Sequence, residues 1–423
     1  MTPELSWLPS WLSFGLMALP VAFALGWLAS RLDWRQLKLE DRRNPRAYFR
    51  GLNFLLNEQQ DQAIDAFIEA VQNDPDTSEL HFALGNLFRR RGDYERAVRV
   101  HQHLLSRGDL SETEHQRAQH ALALDYLKAG LLDHAENALL KLEGTPFQTQ
   151  ARLARLANHE RARDWAQAAA IARSLDNARD LAAGPGAGTQ LSGSFAPRLA
   201  HYLCEQAAER LASRNVEGAQ ELLLRAIETA PAAPRPRIDL ARLHMQRSQT
   251  SDDESVRREA ARQACETLIA ALDASPAAAP LIAAPLVKAA LACGQEAAVQ
   301  ARLRGLYDQA PSLDLLEALI ALHAPVPDAT ATADASLPES LRGWYLRHLR
   351  HEPSLAAASK WLAGEKLAHE EHRPLVQRAL DRATQPLLRY RCAACGFEAK
   401  QHFWQCPGCQ SWDSYPARRV EEL

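Results

Sequence analysis

A period of 34 residues constrains this chain more than any other feature. It separates Gly51 from Gly85 and Ala63 from Ala97. The contexts match. Gly51-Leu-Asn-Phe54 is followed by Ala63, Phe67, Ala70 and Pro75, and Gly85-Asn-Leu-Phe88 by Ala97, His101 and Leu104. A small residue at Gly51 or Ala63 lets two helices approach closely. Phe54 and Phe67 fill the seam, and Pro75 stops the second helix. One such hairpin cannot bury its apolar face alone, but a stack of them can.

This is the tetratricopeptide period and pattern. Looser copies follow, on Ala123, Tyr126, Ala135, Leu139 and Leu142, then Leu156, Ala168, Ala172 and Leu175, then Ala207, Ala219, Leu223, Ala226 and Pro231. A sixth uses Ala241, Ala264, Leu268, Ala271 and Pro276, with an insertion at Ser248–Arg258, and a seventh uses Val287, Val299, Leu303, Leu306 and Pro311. The array is expected over 44–322, with its best repeats at 44–77, 78–111, 116–149 and 200–233. Ala182–Pro197 and Ala324–Pro338 read as loops from their Gly, Ser, Pro and Thr content. Within 323–388, helices are expected at Leu341–Arg350, Leu355–Ala363 and Pro374–Thr384.

Near the end stand Cys392-Ala-Ala-Cys395-Gly396 and Cys406-Pro407-Gly408-Cys409, two Cys-x-x-Cys pairs with ten residues between them. Four thiolates complete a tetrahedral shell around one metal ion. Such a shell leaves no open position for water or substrate, so a structural or electron-transferring role is expected. Zinc and iron both accept it, and spacing does not choose between them. The module is expected at 389–416. Cys204, Cys265 and Cys293 lie singly in Ala/Leu-rich helical sequence and read as small buried hydrophobes. Reduced, metal-bound cysteines fit the cytoplasm.

The N-terminus differs in kind. Leu8–Ala29 is an uncharged apolar stretch of 22 residues. As a helix it covers roughly 33 Å, enough to cross a bilayer. Trp7, Trp11 and Trp27 lie towards its ends, where indoles prefer the interface. No cleavage motif follows, so 5–30 is expected to be an uncleaved transmembrane helix. Residues 31–50 hold seven basic and three acidic groups. The basic segment 31–43 thus places the bulk of the chain on the cytoplasmic side.

The fold class expected is mostly α: a transmembrane helix, a tetratricopeptide α-solenoid and a small four-cysteine module of the rubredoxin-like or zinc-ribbon kind. No phosphate loop, nucleophile elbow or His-Glu-x-x-His is found, so the chain does not read as an enzyme. His101 and His103 look like seam or surface residues. A solenoid offers a concave surface to another protein. Residues one step ahead of the seam positions, about 100° around the helix, should face it: Asn86, Arg89 and Arg90, beside Phe82. An Arg-Arg pair suits an acidic partner segment. The net charge of −3 gives no reason to expect nucleic acid. Phe397, Phe403, Trp404 and Trp412 could stack bases, yet the module lacks a strong basic patch. Packing between ribbon and helices explains them better.

The run GLNFLLNEQQDQAIDAFIEAVQ, the DPDTSELHFALGNLFRRRGDYERAVRVHQHLLSR that follows it, and the tail YRCAACGFEAKQHFWQCPGC with Trp412 resemble the lipopolysaccharide assembly protein B family of Gram-negative bacteria. The order of anchor, repeat array and rubredoxin-type module matches too. The resemblance implies an inner-membrane adaptor that helps a membrane-bound FtsH-type AAA+ protease degrade the deacetylase committing acyl-UDP-GlcNAc to lipid A. Other lipopolysaccharide assembly proteins are further partners it allows. It places the family's metal ligands at Cys392, Cys395, Cys406 and Cys409. Two other roles stay open: an electron-transfer component, since a rubredoxin-type iron site passes electrons, and a scaffold for another envelope-assembly complex.

Overall fold

The computed structural model describes residues 45–73, 77–182, 194–323, 339–365 and 370–423, with Pro20 and a short helical stretch at 23–27. The expected anchor at 5–30 otherwise lies outside the described residues, as does the basic segment 31–43. So do the expected loops, apart from the ends of the first. The described chain is almost entirely helical and divides into two compact units, Met1–Arg163 and Asp164–Leu423.

In the first unit, successive helices pack as hairpins: α1 (Pro45–Leu56), α2 (Gln60–Asn73), α3 (Ser78–Arg91), α4 (Tyr94–Ser106), α5 (Glu112–Ala129), α6 (Leu132–Leu140) and α7 (Gln148–Ala162). The period marks the closest helix approach. A Cβ on Gly51 would lie 2.9 Å from the Phe67 ring, and one on Gly85 2.5 Å from the His101 ring. Ala63, Ala97 and Ala135 are fully buried at the same crossings. The turns follow from their residues. Gly92 takes φ +86° after α3, its N–H donates to Arg89 O, and the Asp93 N–H donates to Phe88 O at 2.9 Å. The third repeat starts earlier than the expected 116, because Ser111 caps α5 at Glu112. The Ser111 hydroxyl accepts the Glu114 N–H, and the Glu114 carboxylate accepts the Ser111 N–H. Ser78 Oγ also donates to Glu114, at 2.6 Å. Together Ser78 and Ser111 hold that carboxyl down to about 2.

The second unit continues with α8 (Trp165–Ala182), α9 (Ala196–Ala212), α10 (Val216–Thr229), α11 (Pro234–Thr250), α12 (Glu254–Ala274), α13 (Ala279–Cys293), α14 (Glu296–Gln309) and α15 (Leu313–His323). Pro197 sits in the first turn of α9 and not in a loop; its missing N–H would be unpaired there anyway. The Ser248–Arg258 insertion is mostly helical. It lengthens both helices of its hairpin, and Ser248 Oγ donates to Arg257 O at 2.8 Å across the turn.

By length and composition Pro276–Cys293 would cross a membrane, but half of it is buried within the protein. Ile282, Ala283, Leu286, Ala289 and Ala290 are fully buried, and α13 packs on α12, α14 and α15. It is the core helix of this unit. Burying each Leu- or Ile-sized side chain contributes about 1.5–3 kcal/mol.

After the array come α16 (Glu339–His351), α17 (Leu355–Ala363) and α18 (Arg373–Thr384), close to the three helices expected. A two-stranded antiparallel ribbon follows, β1 (Tyr390–Arg391) with β2 (Glu398–Ala399), Tyr390 opposite Ala399.

Candidate metal centre

The two Cys-x-x-Cys pairs form matching knuckles. In the first, the Cys392 N–H donates to Phe397 O (2.9 Å) and the Gly396 N–H to Cys392 O (2.8 Å). In the second, the Cys406 N–H donates to Ser411 O (2.9 Å) and the Gln410 N–H to Cys406 O (2.8 Å). Both need a left-handed residue after the second cysteine. Gly396 supplies it at φ +77° and Gln410 at φ +63°. Only the first uses the residue type for which that conformation is free of strain.

The knuckles bring all four Sγ atoms within 4.8 Å of one another. Cys392 and Cys409 Sγ are 3.8 Å apart, and Cys395 and Cys406 Sγ 3.7 Å. A disulfide would need about 2.05 Å. A tetrahedron with metal–sulfur arms of about 2.3 Å has edges of about 3.8 Å. The four thiols therefore fit one ion.

Hydroxyls support the sulfurs. Ser414 Oγ lies 3.2 Å from Cys392 Sγ and Ser411 Oγ 3.3 Å from Cys409 Sγ. Burial pushes the Cys392 thiol up, but Ser414 and the N–H groups of Cys395 and Ala394 outweigh it and bring it down to about 6. Ser411, through its hydroxyl and its N–H, lowers Cys409. Cys395 goes the other way. Despite the Phe397 N–H, burial and the neighbouring sulfurs push it up to about 12. The same crowding of four sulfurs is what a dication would relieve. Cys392 and Cys406 are buried against Tyr390 and Tyr415, whereas Cys395 and Cys409 face outward.

The ribbon is seated on the helices of its own unit. Trp412 stacks on His201 of α9 (centroids 4.8 Å apart, planes at 20°) and meets Trp165 and Tyr202 edge-on at 6.1 and 5.9 Å. His201 Nε2 is 2.9 Å from both carboxylate oxygens of Asp413. Arg235 of α11 lies 3.3 Å from His201 Nδ1 and bonds Glu205 at 2.6 Å. Beyond the ribbon, Arg419 holds Asp314 with two hydrogen bonds, at 3.0 and 2.8 Å, and lies 4.4 Å from the Tyr390 ring centroid. Glu422 accepts the Leu313 N–H (2.5 Å) and Glu421 the Ala356 N–H (3.0 Å), at the starts of α15 and α17. Of the four aromatics that sequence pointed to, Trp404 and Trp412 pack on helices. Phe403 packs on Tyr415 within the ribbon, and Phe397 is exposed. No sequence signal pointed to His201, Arg235 or the tail residues, which are ordinary polar residues outside any motif.

Residues 390–415 match a family described as rubredoxin metal binding domain. Over 420 residues the chain is 28% identical to lipopolysaccharide assembly protein B of Escherichia coli (strain K12), covering 96% of this chain and 98% of that protein. The chain is thus similar to lipopolysaccharide assembly protein B along nearly its whole length. The protein of that name from Haemophilus influenzae is 25% identical over 417 residues, 94% of this chain and 96% of the relative. Among solved structures, a tetratricopeptide repeat protein from Parabacteroides merdae aligns with TM-score 0.32 and 13% identity, covering 66% of this chain and 98% of that one.

The groove expected on the second repeat needs correcting. Phe82 does not face a groove. It is 2% exposed and packs on Leu104, Ala118 and Ala121, with the Arg117 guanidinium over its ring. Arg89 is turned inward, bonding Asp125 at 2.8 Å and Ala121 O at 3.1 Å, with Asn86 as a further partner. Asp125 is fully buried, and its other oxygen lies 2.5 Å from Nδ1 of buried His101. Arg90 alone of the four is exposed.

Proposed function

We propose that the chain is an inner-membrane adaptor controlling lipopolysaccharide synthesis. It presents the lipid A pathway deacetylase to a membrane-bound FtsH-type AAA+ protease and is not itself an enzyme. The observation that carries this is the likeness to lipopolysaccharide assembly protein B over 96% of the chain. A helical-hairpin array suits recognition of another protein. The apolar stretch at 5–30 would anchor it, with the bulk in the cytoplasm. Anchoring client and protease to one surface raises their effective concentration without any new contact. Cys392, Cys395, Cys406 and Cys409 would hold one iron or zinc ion, which ties the two knuckles together.

The test is deacetylase decay after translation is stopped, in strains with and without the chain. Slower decay and more lipopolysaccharide in its absence are expected; equal decay would overturn the reading. Protease added to spheroplasts should leave the C-terminus intact, and cleavage of the repeats would reverse the topology.

One observation favours a second reading. Cys395 and Cys409 are exposed, as an electron-transfer site requires. A reversible one-electron couple with a partner reductase would support it.

A further inference from the structure

Two hollows of about 320 Å³ each adjoin along α11, and Arg242 and Gln246 line both. They flank the Arg242–Gln246 edge of α11 and together make a two-sided groove. One side lies between α11 and α13, and the other is closed by Gln401, His402 and Trp404 of the ribbon. Its lining runs along α11 from Arg235 to Gln249, about 21 Å at 1.5 Å per residue.

We propose that this groove holds an extended segment, acidic and apolar in composition, of a partner protein. Three features define the occupant. The first is shape. About 21 Å takes about six residues in extended form. The second is hydrogen bonding. Gln246 and Gln249 are exposed on the groove, Gln401 stands on its ribbon side, and among the described residues none of the three has a side-chain hydrogen-bond partner. An amide both donates and accepts, which suits the unpaired N–H and C=O groups of an extended backbone. A helix has already satisfied its own.

The third feature is charge over an apolar floor. Ile238, Ala241 and half-buried Met245 form the floor on the α13 side. A flexible thioether adapts to varied apolar side chains. Around it the ionic lining is Arg235, Arg242 and Lys288 against Asp239. Arg235 is engaged by Glu205 and Asp239. Arg242 bonds Asp239 but remains 73% exposed, and exposed Lys288 has no ion-pair partner among the described residues. Two cations on the rim of an apolar trough select carboxylates on the segment that fills it.

The inference rests on the adaptor reading only for who the partner is. Binding is measured on the purified chain, so it can fail while deacetylase turnover still needs the chain, and the reverse.

The experiment screens the full chain in detergent against a positional-scanning library of fluorescein-labelled octapeptides by anisotropy. Selected peptides should combine Asp or Glu with apolar residues. Arg242→Glu with Lys288→Glu should weaken them by about tenfold or more with unchanged circular dichroism. Should that variant misfold, Gln246→Ala with Gln249→Ala decides, since it should weaken acidic and neutral peptides alike. An empty screen, a preference for basic peptides, helical spacing of the selected apolar residues, or equal binding by a folded variant would each overturn the proposal.

Discussion

Asp413 takes the Nε2–H of His201 between its two carboxylate oxygens, each 2.9 Å away, and so joins the metal module to α9. An Arg235 N–H points at the other ring nitrogen, 3.3 Å away. An arginine can only donate, so Nδ1 accepts and Nε2 carries the proton. Helix α11 thus sets the tautomer that the ribbon reads.

Asp413 is half-exposed (side chain 52%), so this bond contributes about 1 kcal/mol. Denaturation of His201→Ala, Asp413→Ala and the double variant should give a coupling of that size. Trp412→Ala should cost more, about 2–3 kcal/mol, because it removes the ring that touches His201, Trp165 and Tyr202. Zero coupling would mean that stacking alone seats the ribbon.

In the first unit, Arg89→Glu should behave as a folding mutation. It sets a carboxylate against fully buried Asp125 and should cost about 3–5 kcal/mol. Arg90→Glu, on an exposed position, should stay within about 0.5 kcal/mol. Gly85→Ala drives a methyl into His101 and should cost about 1–3 kcal/mol. Urea melts check all three, and an Arg89→Glu midpoint equal to that of Arg90→Glu would refute the inward ion pair.

The two arginines show where sequence stopped being informative. The residues at closest helix approach were legible, because Gly51, Gly85 and the alanines must be small for a local, periodic reason. The four cysteines were legible because metal geometry fixes their spacing. Which face of α3 stays open was not. Helix α5 packs on α3 as well as on α4, and it covers Phe82 and Arg89, which a single hairpin would leave bare. Ser248–Arg258 reads as an insertion because it breaks the period, and helix-favouring Glu254, Arg257, Arg258 and Glu259 show how it is absorbed, as the first turns of α12. The seat of the ribbon joins residues distant in the chain, and such pairs leave no local pattern.

Loss of one thiol should unfold the module and spare the array. Cys395→Ser leaves three ligands and an incomplete tetrahedron. Metal binding contributes roughly 10–16 kcal/mol in small Cys-rich modules, so residues 390–415 should unfold while the helices, with their own core, persist. Elemental analysis should show metal lost and circular dichroism should show helix retained. Full metal content in the variant would remove Cys395 from the ligand set.

Deleting residues 419–423 should do the opposite: keep the metal and release the module. None of these residues approaches the sulfurs, but each end of the tail grips a helix. Arg419 bonds Asp314 twice and Leu388 O once, at 2.7 Å. Glu422 and Glu421 place carboxylates at the N-termini of α15 and α17, where unpaired N–H groups and the helix dipole favour negative charge. Arg419→Ala should therefore cost about 1.5–3 kcal/mol, and Glu421→Gln or Glu422→Gln about 0.3–1 kcal/mol each. In the truncated chain, proteolysis at 385–389 should accelerate while metal content is unchanged. If the seat of the ribbon matters for the proposed adaptor role, and not just its fold, deacetylase turnover should fall with it. A truncated chain that resists proteolysis and restores full turnover would show that Trp412 and Asp413 suffice to hold the module in place.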